Sequence, residues 1–219
     1  MTIPQRLHHT IHTFCSDMWD GYLGAIADFM AAHPDIDARV VVDRFHVAKN
    51  YREDFDKLRK KELRRLKQEL PEATYKEVGH GMHWVLRHNY ANLNDDDKVR
   101  LRRLFQYTPI LHQAYTLREE LTAIFNMKLN LADGQRRLEK WADKVQRSTL
   151  TCFNKFIKTL NNHLAEIANY FDKRASSGFV EGINNKLKTI TRRSYGLKRV
   201  DSLFQRLWLD LNGYRHFIA

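Results

Sequence analysis

The chain is poor in the residues that build small cross-linked or metal-stapled folds: its 219 residues hold 2 Cys, 4 Pro and 9 Gly. Cys15 and Cys152 lie far apart and form no Cys-x-x-Cys pair, so neither a disulfide framework nor a zinc site is indicated. Reduced thiols in cytoplasm are the default. Long apolar runs are missing too; none approaches the ~18–20 residues needed to span a bilayer. The first residues, Met1-Thr2-Ile3-Pro4-Gln5-Arg6, lack the apolar stretch of a signal peptide. There is no Walker-type Gly-rich phosphate loop, no Ser–His–Asp or Cys–His grouping, no repeat and no low-complexity tract. His80, His83 and His88 cluster without a nearby Cys or paired carboxylate, and read as helix-surface histidines.

What the chain does have is positive charge. The formal net charge is +11, with 37 Lys and Arg against 26 Asp and Glu. A polyanionic partner follows, and nucleic acid fits better than membrane. Hydrophobic residues make up 43%. That is enough for one core, or one core with an inserted subdomain.

The first 50 residues differ from the rest. Ile11 to Cys15 is a short β-tolerant run ending at Ser16-Asp17. Over 18–31, Trp19, Tyr22, Leu23, Ile26, Phe29 and Met30 recur at helical spacing. His33-Pro34-Asp35 breaks that helix, and Ala38-Arg39-Val40-Val41-Val42-Asp43 reads as a buried strand. The order strand, helix, strand predicts a parallel pair with a right-handed crossover. Asp17 and Asp43 then share the carboxyl edge of the sheet, where open α/β sheets hold ligands. From 47 to about 172 the pattern is helix after helix. It includes a strongly basic one at Lys57–Lys67, with Leu58, Leu63 and Leu66 toward the core. The fold class expected is α/β, predominantly helical, with divisions at 1–50, 51–174 and 175–219.

Residues 175–178, Ala-Ser-Ser-Gly, form a joint before a helix with Ile183, Leu187 and Ile190 on its buried side. Glu181, Asn184, Asn185, Lys188 and Arg192 share the opposite face. Tyr195-Gly196 reads as a turn, and 200–216 as a last amphipathic helix with Leu203, Phe204, Leu207 and Trp208. Residues 182–199 contain six Lys or Arg and no Asp or Glu, so Glu181 is a single acid among cations. A metal-dependent enzyme acting on a nucleic-acid backbone needs such an acid; a first-turn acid favoured by the helix dipole would look the same. If the sheet is interrupted by a helical insertion, Asp17 and Glu181 can share divalent metal. Mg²⁺ takes one or two protein carboxylates plus waters and phosphate oxygens.

Three blocks, Ser16-Asp17-Met18-Trp19, Val42-Asp43-Arg44-Phe45-His46-Val47 and Phe179-Val180-Glu181-Gly182-Ile183-Asn184-Asn185-Lys186, resemble bacterial insertion-sequence transposases of the ISL-three family. The similarity extends to Phe204-Gln205-Arg206. The resemblance implies a ribonuclease-H-like DDE core with a helical insertion, Mg²⁺ or Mn²⁺ in a two-metal site, DNA as partner, a homo-oligomer and a cytoplasmic bacterial protein. It matches Glu181 to the final Glu and Asp17 to the second metal ligand, with Asp43 and His46 supporting. The rival assignment exchanges Asp43 and Asp17. Asn184, Asn185, Lys188, Arg192 and Arg193 are then the residues that approach the DNA backbone.

One part of the family pattern has no counterpart: its first catalytic Asp belongs upstream of the strand ending at Asp17. The expectation is a C-terminal piece of a transposase, inactive alone. A non-catalytic DNA-binding remnant that interferes with the intact enzyme is the alternative, and a helical scaffold with incidental charge a third.

Overall fold

The computed structural model describes residues 5–195, 199–213 and 215. It divides into two compact units, Met1–Ala175 and Ser176–Ala219.

The first unit begins with a 3-10 turn (Gln5–Thr10), then β1 (Thr13–Ser16), α1 (Asp20–Ala32) and β2 (Arg39–Val42). The strands pair in parallel, Thr13 opposite Arg39 and Ser16 opposite Val42, as the crossover order requires. Val41 and Val42 are buried, whereas all four β1 residues are half-buried. α1 has no fully buried residue. Its apolar spacing serves packing only through the half-buried Leu23, Ile26, Phe29 and Met30, while Trp19 and Tyr22 stay 60% and 55% exposed.

Among the described residues of this unit nine α-helices follow: α2 (Arg44–Glu69), α3 (Glu72–Gly79), α4 (Met82–Val85), α5 (Asp95–Tyr107), α6 (Pro109–Asn126), α7 (Leu131–Gln146), α8 (Asn154–Asn162), α9 (Leu164–Ala168) and α10 (Tyr170–Lys173). Their starts have local causes. The side chains of Asp43, Asn94 and Asn130 accept hydrogen bonds from first-turn backbone N–H groups of α2, α5 and α7. Pro109 opens α6, where its missing N–H costs nothing. Gly81 turns the chain before α4 with a φ of 73°, in the left-handed region.

Aromatic packing centres on Tyr51 of α2. Its ring stacks on Phe153 at 4.3 Å and meets Trp141 and Phe156 edge-on. The Tyr51 hydroxyl donates to the Ala114 carbonyl at 2.9 Å, and burial pushes the phenol pKa well up. The Trp141 indole N–H donates to Leu117 O at 2.9 Å. Gly134 makes room for Phe171: a Cβ there would lie 2.1 Å from the ring. The buried Arg118 donates to the carbonyls of Leu86 and His88 and lies over the Tyr115 ring. One apolar cluster runs from Met18, Val41 and Val42 through the helices to Phe171. The last helices also hold β2 by polar contacts. Asn169 Nδ2 donates to Val40 O at 2.8 Å, and Arg39 pairs with Asp172 at 2.9 Å.

The second unit is a helix pair, α11 (Gly178–Arg193) and α12 (Val200–Asn212). Lys186 of α11 reaches the Asp210 carboxylate of α12 at 3.4 Å. Ile190 and Leu207 are buried and Ile183 and Leu187 half-buried. Phe204 and Trp208, spaced to share a face with Leu207, remain 50% and 51% exposed. Tyr195 adopts a left-handed φ of 50°. Gly196, the other half of the expected turn, lies outside the described residues, as do 214 and 216 of the expected last helix.

Candidate metal-ligating and nucleic-acid-binding residues

Asp17 and Asp43 each follow directly on the last paired residue of a strand. The Asp43 N–H donates to Ser16 O at 2.9 Å, carrying the ladder one step past the Ser16–Val42 pair. Both acids therefore stand at the carboxyl edge of the parallel pair, as the strand–helix–strand reading requires.

The two make the same local bond. Asp17 Oδ1 accepts from the Trp19 N–H at 3.0 Å, and Asp43 Oδ1 accepts from the Phe45 N–H at 2.8 Å. Each is a short polar side chain closing a turn on the backbone two residues ahead. The turn throws an aromatic side chain outward at both places: Trp19 is 60% exposed and Phe45 49%. The signal, Asp-x-aromatic at each strand end, is visible in the sequence, but sequence reasoning missed it by counting Trp19 as part of an apolar helix face.

The acids differ in burial. Asp43 is 3% exposed and is the N-cap of α2, where a carboxylate also meets the positive end of the helix dipole. Asp17 is half-buried and caps nothing; α1 has no side-chain cap at Trp19. His46, in the first turn of α2, is half-buried with its ring edge-on to Phe45 at 5.6 Å. Arg44 lies over the Tyr170 ring and donates to Asn126 Oδ1 at 3.2 Å.

Glu181 sits in the first turn of α11. Its N–H donates to Ser177 O at 2.9 Å, and the Ser177 hydroxyl donates to Oε1 at 3.2 Å. Glu181, Asn184, Asn185, Lys188 and Arg192 are all exposed, and Ile190 is buried, as the three- and four-residue spacing demands. Arg193 is exposed as well, a quarter-turn or so round from Arg192. A Cβ on Gly182 would meet nothing within 4 Å, so this surface beside Glu181 is open.

Among the described residues no three His, Cys, Asp or Glu side chains are grouped so as to hold a metal ion. His80, His83 and His88 are exposed, and His88 Nδ1 lies 2.8 Å from Trp84 O. The acids the chain offers are hard oxygen donors. Among the described residues no helix is long and apolar enough to cross a membrane.

The described residues thus hold strand-edge acids on a parallel pair and a large helical block in the first unit, and a basic helix with Glu181 in its first turn in the second. Residues 2–207 match the family model for transposases of the ISL-three (ISL3) group, and the chain belongs to that family. It is 30% identical over 171 residues to the transposase of insertion sequence IS1001 from Bordetella parapertussis, covering 78% of this chain and 41% of that protein. It is 27% identical over 135 residues to the IS1557 transposase of Mycobacterium tuberculosis, covering 62% of this chain and 30% of that protein. The chain thus spans less than half the length of these relatives. No solved structure matches it.

Proposed function

We propose that these residues form the part of a DDE transposase catalytic domain that runs from its second acid to its last. In this reading residues 1–50 belong to a ribonuclease-H-like sheet, 51–174 to a helical insertion, and 175–219 to the C-terminal helices of the core. Asp17 and Glu181 are the carboxylates that hold Mg²⁺ or Mn²⁺. The metal supplies activation of the attacking oxygen and stabilisation of the leaving one during phosphoryl transfer on DNA.

The observation that carries the assignment is the contrast at the sheet edge. Asp43 is buried and already caps α2, whereas Asp17 leaves its carboxylate half open beside the same edge. That favours Asp17 as ligand and Asp43 as the residue that fixes the start of α2 and with it His46. On α11, Ser177 orients Glu181 through one hydrogen bond. Asn184, Asn185 and Lys188, exposed along the same face, and Arg192 with Arg193 at its end, meet phosphates without reading sequence.

The test is DNA strand transfer by a protein of the relatives' full length carrying Glu181→Gln or Asp17→Asn. Even losses around a metal's ligands cost 10- to 100-fold, so removal of a ligand is expected to lower the rate by more than ~100-fold. Duplex binding stays unchanged. Strand transfer at the parent rate in either variant overturns the assignment. The resemblance gives this chain two of three acids, so the 219 residues alone are expected to bind DNA without nicking it.

A further inference from the structure

We infer that the exposed face of α2 is a second contact surface for the backbone of duplex DNA, made of residues other than those of α11. The inference takes its partner from the transposase reading; the surface itself is read from charge and geometry.

Lys57, Lys60, Lys61, Arg64 and Lys67 are all exposed and recur every three or four residues, so they form one stripe along the helix. The opposite side of α2 is committed to the core through Tyr51, Phe55, Leu58 and Leu66. The stripe spans ten residues, or about 15 Å at 1.5 Å per residue.

On other helices several surface cations are matched by acids. Lys76 pairs with Glu72, Lys98 with Asp95, Arg100 with Asp97, and Arg136 with Asp133. On α2 the acids are used by other cations. Asp56 holds Arg59 and Arg87, Glu62 holds Arg65 and accepts from the Thr108 hydroxyl, and Glu69 holds Arg65. Burial pushes the Asp56 carboxyl up, but hydrogen bonds from Arg59 and Arg87 outweigh it and hold the group below the usual range. Lys57 has Asp54 at 2.7 Å. Among the described residues no carboxylate lies within ion-pairing distance of Lys60, Lys61, Arg64 or Lys67.

Their neighbours at three and four residues make matters worse for the isolated protein. Lys57 faces Lys60 and Lys61, and Arg64 faces Lys60, Lys61 and Lys67. Same-sign pairs at this spacing oppose the helix. A polyanion laid along the stripe reverses that repulsion and releases its own counterions.

The stripe also lies on the helix that Asp43 caps. Counting along α2, Lys57 is roughly 21 Å and Lys67 roughly 36 Å from the sheet edge. At 3.4 Å per base pair that corresponds to about 6–11 base pairs from a phosphate held at the edge.

The experiment measures fluorescence anisotropy of a labelled 30-base-pair duplex of arbitrary sequence against the 219-residue chain, across a NaCl series. The variant combines Lys60→Gln, Lys61→Gln, Arg64→Gln and Lys67→Gln. A control removes four exposed cations from four different segments, with Arg102→Gln, Lys128→Gln, Lys140→Gln and Lys158→Gln. For the α2 variant the slope of log affinity against log salt is expected to fall by about 3–4, with affinity at low salt down roughly 100-fold. Its Tm stays unchanged or rises, an outcome that loss of a structural contact would not produce. Single Arg64→Gln should lower the slope by about 1, which keeps the test open if the fourfold variant folds poorly. Equal slopes for parent and α2 variant, an equal loss in the control, or a parent that binds no duplex at low salt each overturn the inference. The first two leave the Asp17–Glu181 assignment standing. That assignment falls only if Glu181→Gln or Asp17→Asn retains strand transfer.

Discussion

Helices α2 and α11 both turn cations to solvent, on different foundations. α2 buries Val47, Tyr51, Phe55, Leu58 and Leu66, while α11 fully buries only Ile190 among its described residues. Their charges are arranged differently as well. In α11 the acid is in the first turn and Arg192 and Arg193 in the last, an order the helix dipole favours. In α2 the exposed cations repel one another along the C-terminal half of the helix. At about 0.2–0.5 kcal/mol for each same-sign pair, the stripe costs on the order of 1–2 kcal/mol. Each buried aromatic or aliphatic side chain contributes about 1.5–3 kcal/mol, so α2 carries the repulsion easily. A surface of concentrated charge sits on a helix with a well-buried apolar side, and the candidate catalytic Glu sits on a helix whose charges run in the order the dipole favours.

The largest expected effect tests those foundations directly. Phe55 is 2% exposed and Phe179 is 79% exposed. Phe55→Ala should cost about 3–5 kcal/mol, read from denaturant unfolding, through the cavity it leaves. Phe179→Ala should stay within about 0.5 kcal/mol. Equal losses would mean that α11 is anchored as strongly as α2. A smaller effect separates the two strand-edge acids. Asp43→Ala removes the α2 cap and should cost about 1–2 kcal/mol, whereas Asp17→Ala should cost less than about 0.5 kcal/mol. The reverse order in thermal unfolding would return Asp17 to a structural role. Smallest, and opposite in sign, is Gly182→Ala. Nothing lies within 4 Å of the added Cβ, so helix propensity alone should stabilise α11 by about 0.5–1 kcal/mol. A loss of stability there would show that the open surface is occupied in solution.

Much of the site was legible because it rests on short-range rules. Three valines after a helix breaker predicted the buried β2, and the crossover rule then put Asp17 and Asp43 on one edge; the register of Ser16 on Val42 agrees. The exposed face of α11 followed from spacing alone. The stripe on α2 was legible only as a basic helix, with its leucines toward the core. An Asp before a helix reads identically whether it caps the helix or ligates a metal, so the division of labour between Asp17 and Asp43 was not legible. Trp19 was misplaced because periodicity reports which residues could share a face, not whether anything covers it.

By itself the amino-acid order determined the strand–helix–strand start and the family, since each depends on neighbours a few residues apart or on matched blocks. Tertiary structure alone decided which charges are spent. Asp56 is taken by Arg87 from 31 residues away, Glu62 by Thr108 from 46, and Asp172 by Arg39 from 133. Ion pairing needs atoms within about 4 Å; neighbours three or four residues along a helix reach that locally, as Arg59 does Asp56, but partners this far apart in sequence are brought together only by folding.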